Sequence, residues 1–190
     1  YKIDVLPEAV DEVILIIGYL GHIIREYFGD AYEGRKITYV EVEPFGTAYA
    51  LWQARHLLTE RFLLLNGDDL YTRKDIAECM KYDQAALVFE LHRPMAGGKM
   101  ILKDGFVEDI LEGAHSDGGL ISTGFFIFSP HIFDYPLQKM PGREEWGIPP
   151  TIVPMLPEFG IHAVSATAWK QISAKEDLQM SPEQVLVFSA

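Results

Sequence analysis

The 190-residue sequence has little cysteine and little positive charge. Its one cysteine, Cys79, cannot form an internal disulfide, and helical periodicity favours a buried thiol over a catalytic one. Lys and Arg total 16 against 28 Asp and Glu, so the formal net charge is −12. A nucleic acid or an anionic membrane needs a basic face, so we exclude both as partners. A small phosphorylated ligand stays open, because a few backbone N–H groups and one metal ion can bind it.

Long hydrophobic runs are absent as well. The longest, such as residues 13–17 and 62–65, fall far below the roughly 18 residues of a membrane-spanning helix, so we expect a cytoplasmic protein. The six histidines are scattered without metal-binding spacing, which disfavours a zinc site. The sequence contains no P-loop and no nucleophile elbow, which disfavours a P-loop NTPase and a triad hydrolase.

Helix and strand patterns alternate along the first half. Four apolar runs predict buried strands, at residues 13–17, 37–42, 62–65 and 85–91. Three stretches with helical spacing lie between them, at residues 22–28, 47–58 and 75–82. This order is typical of a doubly wound sheet, whereas the second half is richer in strands, with a hairpin turn at residues 104–105. We predict one α/β domain with a doubly wound, Rossmann-like, mixed but mostly parallel sheet flanked by helices and a β-rich second half.

The clearest candidate binding segment follows the third predicted strand. Ligands of doubly wound sheets bind beyond the carboxyl ends of the strands. This strand delivers Asn66, Gly67, Asp68 and Asp69 to that edge. The two carboxylates supply hard oxygen ligands of the kind that Mg²⁺ prefers. The alternative is an ordinary turn whose Asn and Asp side chains cap backbone groups.

A second candidate segment joins the second strand to the next helix. Gly46 and Thr47 stand where free N–H groups and the helix dipole favour an electronegative ligand edge. An ordinary N-cap at Thr47 and an ordinary turn at Gly46 are the alternative.

Several stretches of sequence then occur together and in order. EVILIIGYLGHIIREYFGD precedes EPFGTAYAL, LLLNGDDL follows, and the series continues through GGKMILKDGFVEDILEG, LISTGFFIFSPHIFDY and AWKQISAKEDL. The ordered set resembles the sugar-1-phosphate nucleotidyltransferases, which include mannose-1-phosphate guanylyltransferases and glucose-1-phosphate thymidylyltransferases. The resemblance implies the nucleotide-diphospho-sugar transferase fold. It also implies a Mg²⁺-dependent reaction that joins an NTP and a sugar 1-phosphate into an NDP-sugar and pyrophosphate.

The resemblance also implies roles for individual residues, with residues 1–92 as a nucleotide-binding half and residues 93–190 as a sugar-binding half. Asp68 matches the catalytic, metal-binding aspartate, and Asp69 and Gln171 are further candidate ligands. The residues expected at the nucleotide are Gly46, Thr47 and Glu41. The residues expected at the sugar are Gly98, Glu112, Ser122 and Thr123. Plainer alternatives are a β-bulge at Gly98, a solvated charge at Glu112 and a strand residue at Thr123.

Three departures from the family pattern bear on activity. The family begins with a central strand and a glycine-rich loop that binds the triphosphate. This chain starts after that region, and we expect the natural protein or a partner to supply it. Gly113 stands where the family has a lysine that contacts the sugar phosphate. Gln171 stands where the family has an aspartate that completes the metal site.

The departures leave three hypotheses. The leading one is a sugar-1-phosphate nucleotidyltransferase. The second is a catalytically weakened paralogue that binds a nucleotide sugar or a partner subunit and regulates it. The third is a cytidylyltransferase acting on an alcohol phosphate such as phosphocholine. The sequence leaves open whether the chain forms a homo-oligomer.

Overall fold

The computed structural model describes residues 2–188. The first half forms β1 (Glu12–Ile17), α1 (Gly21–Phe28), β2 (Ala31–Tyr32), β3 (Arg35–Glu41), α2 (Thr47–Ala54), β4 (Phe62–Leu64), β5 (Asp69–Tyr71), α3 (Arg73–Cys79) and β6 (Ala85–Leu91). The second half forms β7 (Met95–Lys103), β8 (Phe106–His115), β9 (Gly119–Phe128), α4 (Ile148–Ile152), β10 (His162–Ser165), β11 (Trp169–Gln171) and α5 (Pro182–Val187). Short 3₁₀ turns lie at Arg55–Leu57, Pro130–Asp134, Val153–Met155 and Lys175–Leu178.

The architecture is mixed α/β. The four predicted strands and three predicted helices of the first half are found in the predicted order, and two short strands that were not predicted, β2 and β5, lie among them. A six-stranded sheet has the order β4-β9-β6-β10-β8-β7, a three-stranded sheet has the order β1-β3-β2, and β11 pairs with β5. The predicted mostly parallel sheet is wrong, since among the described strands only the β1–β3 and β6–β10 pairs are parallel. The physical reason is that β7 and β8 fold back at a tight turn, while β9 runs antiparallel between β4 and β6.

Apolar clusters cover both faces of the six-stranded sheet. Residues 85–88 of β6 are at most 1% exposed and alternate between the two clusters, as successive side chains of a strand point to opposite faces. One cluster includes Leu51 of α2 and Ile152 of α4, and the other includes Ile76 of α3. Because both faces of this part of β6 are buried, residues 85–89 form a continuous apolar run rather than an alternating one.

Cys79 lies wholly inside the second cluster. Burial raises the pKa of its thiol to about 12, so the thiolate needed for nucleophilic chemistry is not formed near neutral pH. The interpretation of this residue as a core thiol is confirmed. None of the helices within residues 2–188 is both long and apolar enough to cross a bilayer.

Candidate functional site

The segment after β4 places its two aspartates in different environments. Asp68 is exposed, whereas Asp69 is only 1% exposed at the start of β5. Asp69 Oδ1 accepts a hydrogen bond from Trp169 Nε1 at 3.0 Å. Burial raises the pKa of the Asp69 carboxyl to about 6. Asp68 is therefore accessible to a ligand, while Asp69 anchors Trp169.

Strand β11 brings Gln171 to the same place. Gln171 is the cross-strand partner of Asp69 in the antiparallel pair of β5 and β11. The next residue, Ile172, donates its backbone N–H to the Asp68 carbonyl oxygen at 2.7 Å. Two segments about 100 residues apart in the sequence thus lie side by side. The side chains of Gln171 and Asp68 are both exposed here, so an amide oxygen and a carboxylate are accessible at this edge.

Hard oxygen ligands of this kind fit Mg²⁺, which usually takes one or two protein ligands and completes its shell with waters and substrate phosphates. Among residues 2–188 there is no group of three or more His, Cys, Asp or Glu side chains that could hold a metal. A metal here would therefore depend on Asp68 with Gln171 and on the substrate's own oxygens.

A lysine that the sequence analysis missed lies at this segment. Lys2 Nζ donates to the Asn66 carbonyl oxygen at 2.8 Å. Burial lowers the pKa of Lys2 to about 8, and the charges of Asp69 and Asp68 act in the opposite direction. The Asn66 amide also covers Gly124, where a side chain would overlap it. No sequence signal marks Lys2, because 64 residues separate it from its partner.

At the other candidate segment, Gly46 lies against the backbone of Trp146. Gly46 has φ 108, and a Cβ there would lie 2.7 Å from Trp146 N and closer still to Trp146 O. Trp146 donates its N–H to the Phe45 carbonyl at 2.9 Å and accepts the N–H of Ala48 at 3.1 Å. Only glycine leaves room for this contact, which gives Gly46 a structural role whatever it does for a ligand.

Thr47 and Glu41 have partners of their own. Gly46 occupies the N-cap position of α2, so Thr47 is the first helical residue and the N-cap interpretation of Thr47 is wrong. Its Oγ1 instead accepts the Ile148 N–H at 3.2 Å, where α4 begins. Glu41 ends β3 on the surface and forms an ion pair with Arg25 of α1 at 2.9 Å.

The predicted sugar-binding pair, Gly98 and Glu112, meets across the β7–β8 hairpin. A Cβ at residue 98 would lie 2.9 Å from Glu112 Oε1 and 3.0 Å from Ile110 Cγ2. Gly98 therefore leaves the space that the half-buried Glu112 carboxylate fills. The register shift of this hairpin lies between residues 101 and 102, so the alternative of a β-bulge at Gly98 is wrong.

Ser122 and Thr123 point to opposite faces of β9. Thr123 is 1% exposed, and its Oγ1 donates to the Leu87 carbonyl at 2.8 Å. Its own carbonyl accepts the Tyr71 hydroxyl at 2.9 Å. The structure thus favours a strand residue at Thr123. Ser122 is half-buried, and its Oγ accepts the Gly124 N–H at 3.4 Å.

Residues 139–147 form a loop, here called the bridging loop, that was not singled out from the sequence. Its ends meet in an antiparallel bridge between Lys139 and Trp146, and Trp146 is bound to the Gly46 turn as described. Burial raises the pKa of Glu112, and the positive charges of Arg143 and His115 oppose that rise. Arg143 is exposed, and its guanidinium makes no hydrogen bond or ion pair with any described residue. The bridging loop thus connects the Gly46 turn with the surroundings of Glu112.

Two open depressions elsewhere contain none of these residues. One of about 660 Å³ is lined by residues such as Asp4, Tyr32 and Arg73. The other, of about 430 Å³, is lined by residues such as Tyr82, Gln84 and His162. The candidate site is therefore an open edge of the sheets, not one of these depressions.

No protein-family model matches the chain, but curated proteins and solved structures do. The D-glycero-alpha-D-manno-heptose 1-phosphate guanylyltransferase of Aneurinibacillus thermoaerophilus is 35% identical over 137 residues, which cover 67% of this chain and 58% of that protein. The probable glucose-1-phosphate cytidylyltransferase of Bacillus subtilis is 31% identical over 155 residues, which cover 67% of this chain and 60% of that protein. The chain thus spans about three fifths of the length of these relatives.

Solved structures share the fold. A putative glucose-1-phosphate thymidylyltransferase from Bacillus anthracis has a TM-score of 0.76 at 18% identity, covering 96% of this chain and 78% of its own. HddC from Yersinia pseudotuberculosis, solved with GMP-PN, has a TM-score of 0.64 at 24% identity, covering 89% of this chain and 76% of its own. The curated relatives confirm the family resemblance that the ordered sequence motifs carry, and the solved structures show the same fold.

Proposed function

We propose that this chain, which belongs to the sugar-1-phosphate nucleotidyltransferase family, acts in the coupling of an NTP to a sugar 1-phosphate, giving an NDP-sugar and pyrophosphate. The observation that carries the proposal is the pairing of β5 with β11. This pairing brings Gln171 beside the Asp68–Asp69 segment, which the family resemblance assigns to the metal.

Asp68 and Gln171 would hold Mg²⁺. When bound, the ion neutralises charge that develops on the phosphates. Asp68 supplies the charged oxygen and Gln171 a neutral one, since Asp69 is occupied by Trp169. The sugar phosphate oxygen attacks the α-phosphorus, and the bond to the leaving pyrophosphate breaks. No covalent enzyme intermediate and no protein proton donor is required, so the chain's work is positioning and charge neutralisation.

Glu112 and Arg143 form the acceptor side of this proposal. The half-buried Glu112 carboxylate, seated over Gly98, would accept hydrogen bonds from sugar hydroxyls. Arg143 carries a guanidinium with no other partner in the described chain, and such a group binds phosphate oxygens in a bidentate manner. It would supply the positive charge that Gly113 cannot. This observation favours the transferase over a weakened paralogue.

The nucleotide would lie against the turn that contains Gly46 and Thr47. Phe45 leaves 48% of its surface exposed beside this turn and packs edge to face on Tyr49 at 5.1 Å. An exposed ring held in this way offers an apolar face for a base. Trp146 of the bridging loop is hydrogen-bonded to this turn, so the proposed nucleotide side and the proposed acceptor side are held by the same backbone contacts.

Pyrophosphate release by the full-length protein tests the proposal. We would combine the common NTPs with a panel of sugar 1-phosphates and alcohol phosphates in the presence of Mg²⁺. Turnover with a sugar 1-phosphate should disappear in Asp68→Ala. Asp83→Ala is the matched control, since Asp83 is also an exposed aspartate, and it lies 3.9 Å from Arg61, outside the candidate site. Saturable binding of an NDP-sugar without any turnover would instead indicate a regulatory protein, and turnover with alcohol phosphates alone would contradict the sugar substrate.

A further inference from the structure

Asp75 is a buried carboxylate that the proposed reaction does not use. Asp69 and Asp75 are the two buried acidic side chains among the described residues, and Asp75 is 2% exposed in the first turn of α3. Its carboxylate does not cap that helix. The cap is Thr72, whose Oγ1 accepts the Asp75 N–H at 3.1 Å. The carboxylate is therefore free to bind a different part of the chain.

That part is the segment just before β11, 92 residues further along the chain. Asp75 Oδ2 accepts the backbone N–H of Thr167 at 2.9 Å. The Thr167 hydroxyl lies 2.9 and 3.0 Å from the two carboxylate oxygens, and the Ala168 N–H lies 3.5 Å from Oδ2. A buried carboxylate needs such donors, because burying its charge without them is costly.

The strand that follows has little else to hold it. β11 has three residues and pairs only with β5 among the described strands, outside the six-stranded sheet. Two-stranded pairs are marginal on their own. Asp75 anchors the entry to β11, Asp69 holds its Trp169, and the Asp68 carbonyl receives Ile172 at its exit. Without Asp75, only the three-residue pairing with β5 and the contacts of Trp169 and Ile172 would fix the register of β11.

We propose that Asp75 is a positioning residue for the candidate site. By holding Thr167 and Ala168, it fixes β11 in the register that sets Gln171 opposite Asp69 and next to Asp68. The kinetic part of this inference rests on the proposed function. The positional part is independent of the proposed function, because it concerns only the place of Trp169 and the register of β11.

The test uses the full-length protein with Asp75→Ala, Asp75→Asn and Thr167→Val. Thr167 is exposed, so its valine variant keeps the proposal testable if the Asp75→Ala protein fails to fold.

The first readout is the indole N–H signal of Trp169 by NMR, assigned through Trp169→Phe, with Trp52 and Trp146 as internal references. We expect Asp75→Ala to shift the Trp169 signal and speed its hydrogen exchange about tenfold or more, as the loss of charge-assisted hydrogen bonds requires. Thr167→Val should change the Trp169 signal in the same direction. Asp75→Asn keeps one acceptor oxygen, so its change should be smaller than that of Asp75→Ala.

The second readout is pyrophosphate release. We expect Asp75→Ala to lower kcat about tenfold or more with the KM for the sugar 1-phosphate nearly unchanged, because Gly98 and Glu112 lie on a separate hairpin. Ile132→Ala controls for a general loss of stability, because it creates a cavity in the apolar cluster on the opposite face of the sheet from α3. An unchanged Trp169 signal in the Asp75 and Thr167 variants overturns the proposal, and so does an equal change in Ile132→Ala. A displaced Trp169 in a protein whose wild type turns over no substrate pair supports the positioning role and refutes the proposed function.

Discussion

Replacing Gly46 with alanine tests the contact that joins the bridging loop to the Gly46 turn. At φ 108 an L-residue is strained by about 1–3 kcal/mol. The new Cβ would lie 2.7 Å from Trp146 N, and a backbone atom cannot rotate away as a side chain can. Relief requires the bridging loop to move, which breaks the two hydrogen bonds of Trp146 at about 0.5–1.5 kcal/mol each. We expect Gly46→Ala to lower the free energy of unfolding by about 2–6 kcal/mol.

Urea denaturation of Gly46→Ala and Gly105→Ala measures this effect against a matched control. Gly105 also has a positive φ, 84, but a Cβ there meets nothing within 4 Å. Gly105→Ala should therefore show the backbone strain alone, and the excess loss in Gly46→Ala measures the contact with Trp146. Equal losses in the two variants would refute the reasoning. A stable Gly46→Ala protein that no longer binds nucleotide would show instead that this glycine serves only the approach of the base.

Two further predictions concern charged groups of the site. Burial raises the folded-state pKa of Asp69 from 3.8 to about 6, so its contribution to stability is complete below about pH 4 and is lost as the pH rises through 6. Asp69→Asn keeps an acceptor for Trp169 but cannot ionise. Between pH 4 and pH 7, its free energy of unfolding in urea should therefore fall by about 2–3 kcal/mol less than that of the wild type. Arg143→Met should lower kcat/KM for the sugar 1-phosphate about 10- to 100-fold with little change in unfolding, and Arg143→Lys should restore part of it. An Arg143→Met enzyme with wild-type kinetics would remove Arg143 from the acceptor side.

The sequence predicts most of the central elements because their signals are local. The apolar run of β6 and the turn at residues 104–105 are found as predicted, since burial on both faces and a positive φ each leave a mark on a few adjacent residues. β5 was missed because its three residues, Asp-Leu-Tyr, follow polar residues and become a strand only through pairing with β11. Sheet direction was also missed, because antiparallel pairing of β9 with β4 and β6 depends on which strands meet in space.

The candidate site shows the same division. Local motifs single out Asp68 and Gly46, the family resemblance adds the pair of Gly98 with Glu112, and the roles of all four stay predictions. The partners of these residues came from distant parts of the chain: Trp146 lies 100 positions after Gly46, and Trp169 lies 100 positions after Asp69. Nothing adjacent in the sequence indicates that Gly46 must be small because of Trp146, or that Asp69 is occupied by an indole.

The structure also bears on two of the three departures from the family pattern, those at Gly113 and Gln171. The lysine expected at position 113 is absent, but the positive charge of Arg143 on the bridging loop acts on Glu112, and under the proposed function it would be available to a phosphate. At Gln171 no such replacement is present within residues 2–188, because the neighbouring carboxylate of Asp69 is buried and bound to Trp169. Under the proposed function, we therefore expect the chain to hold the metal less well than it binds the sugar phosphate, because the Gln171 amide oxygen is neutral and the Asp69 carboxylate opposite it is buried.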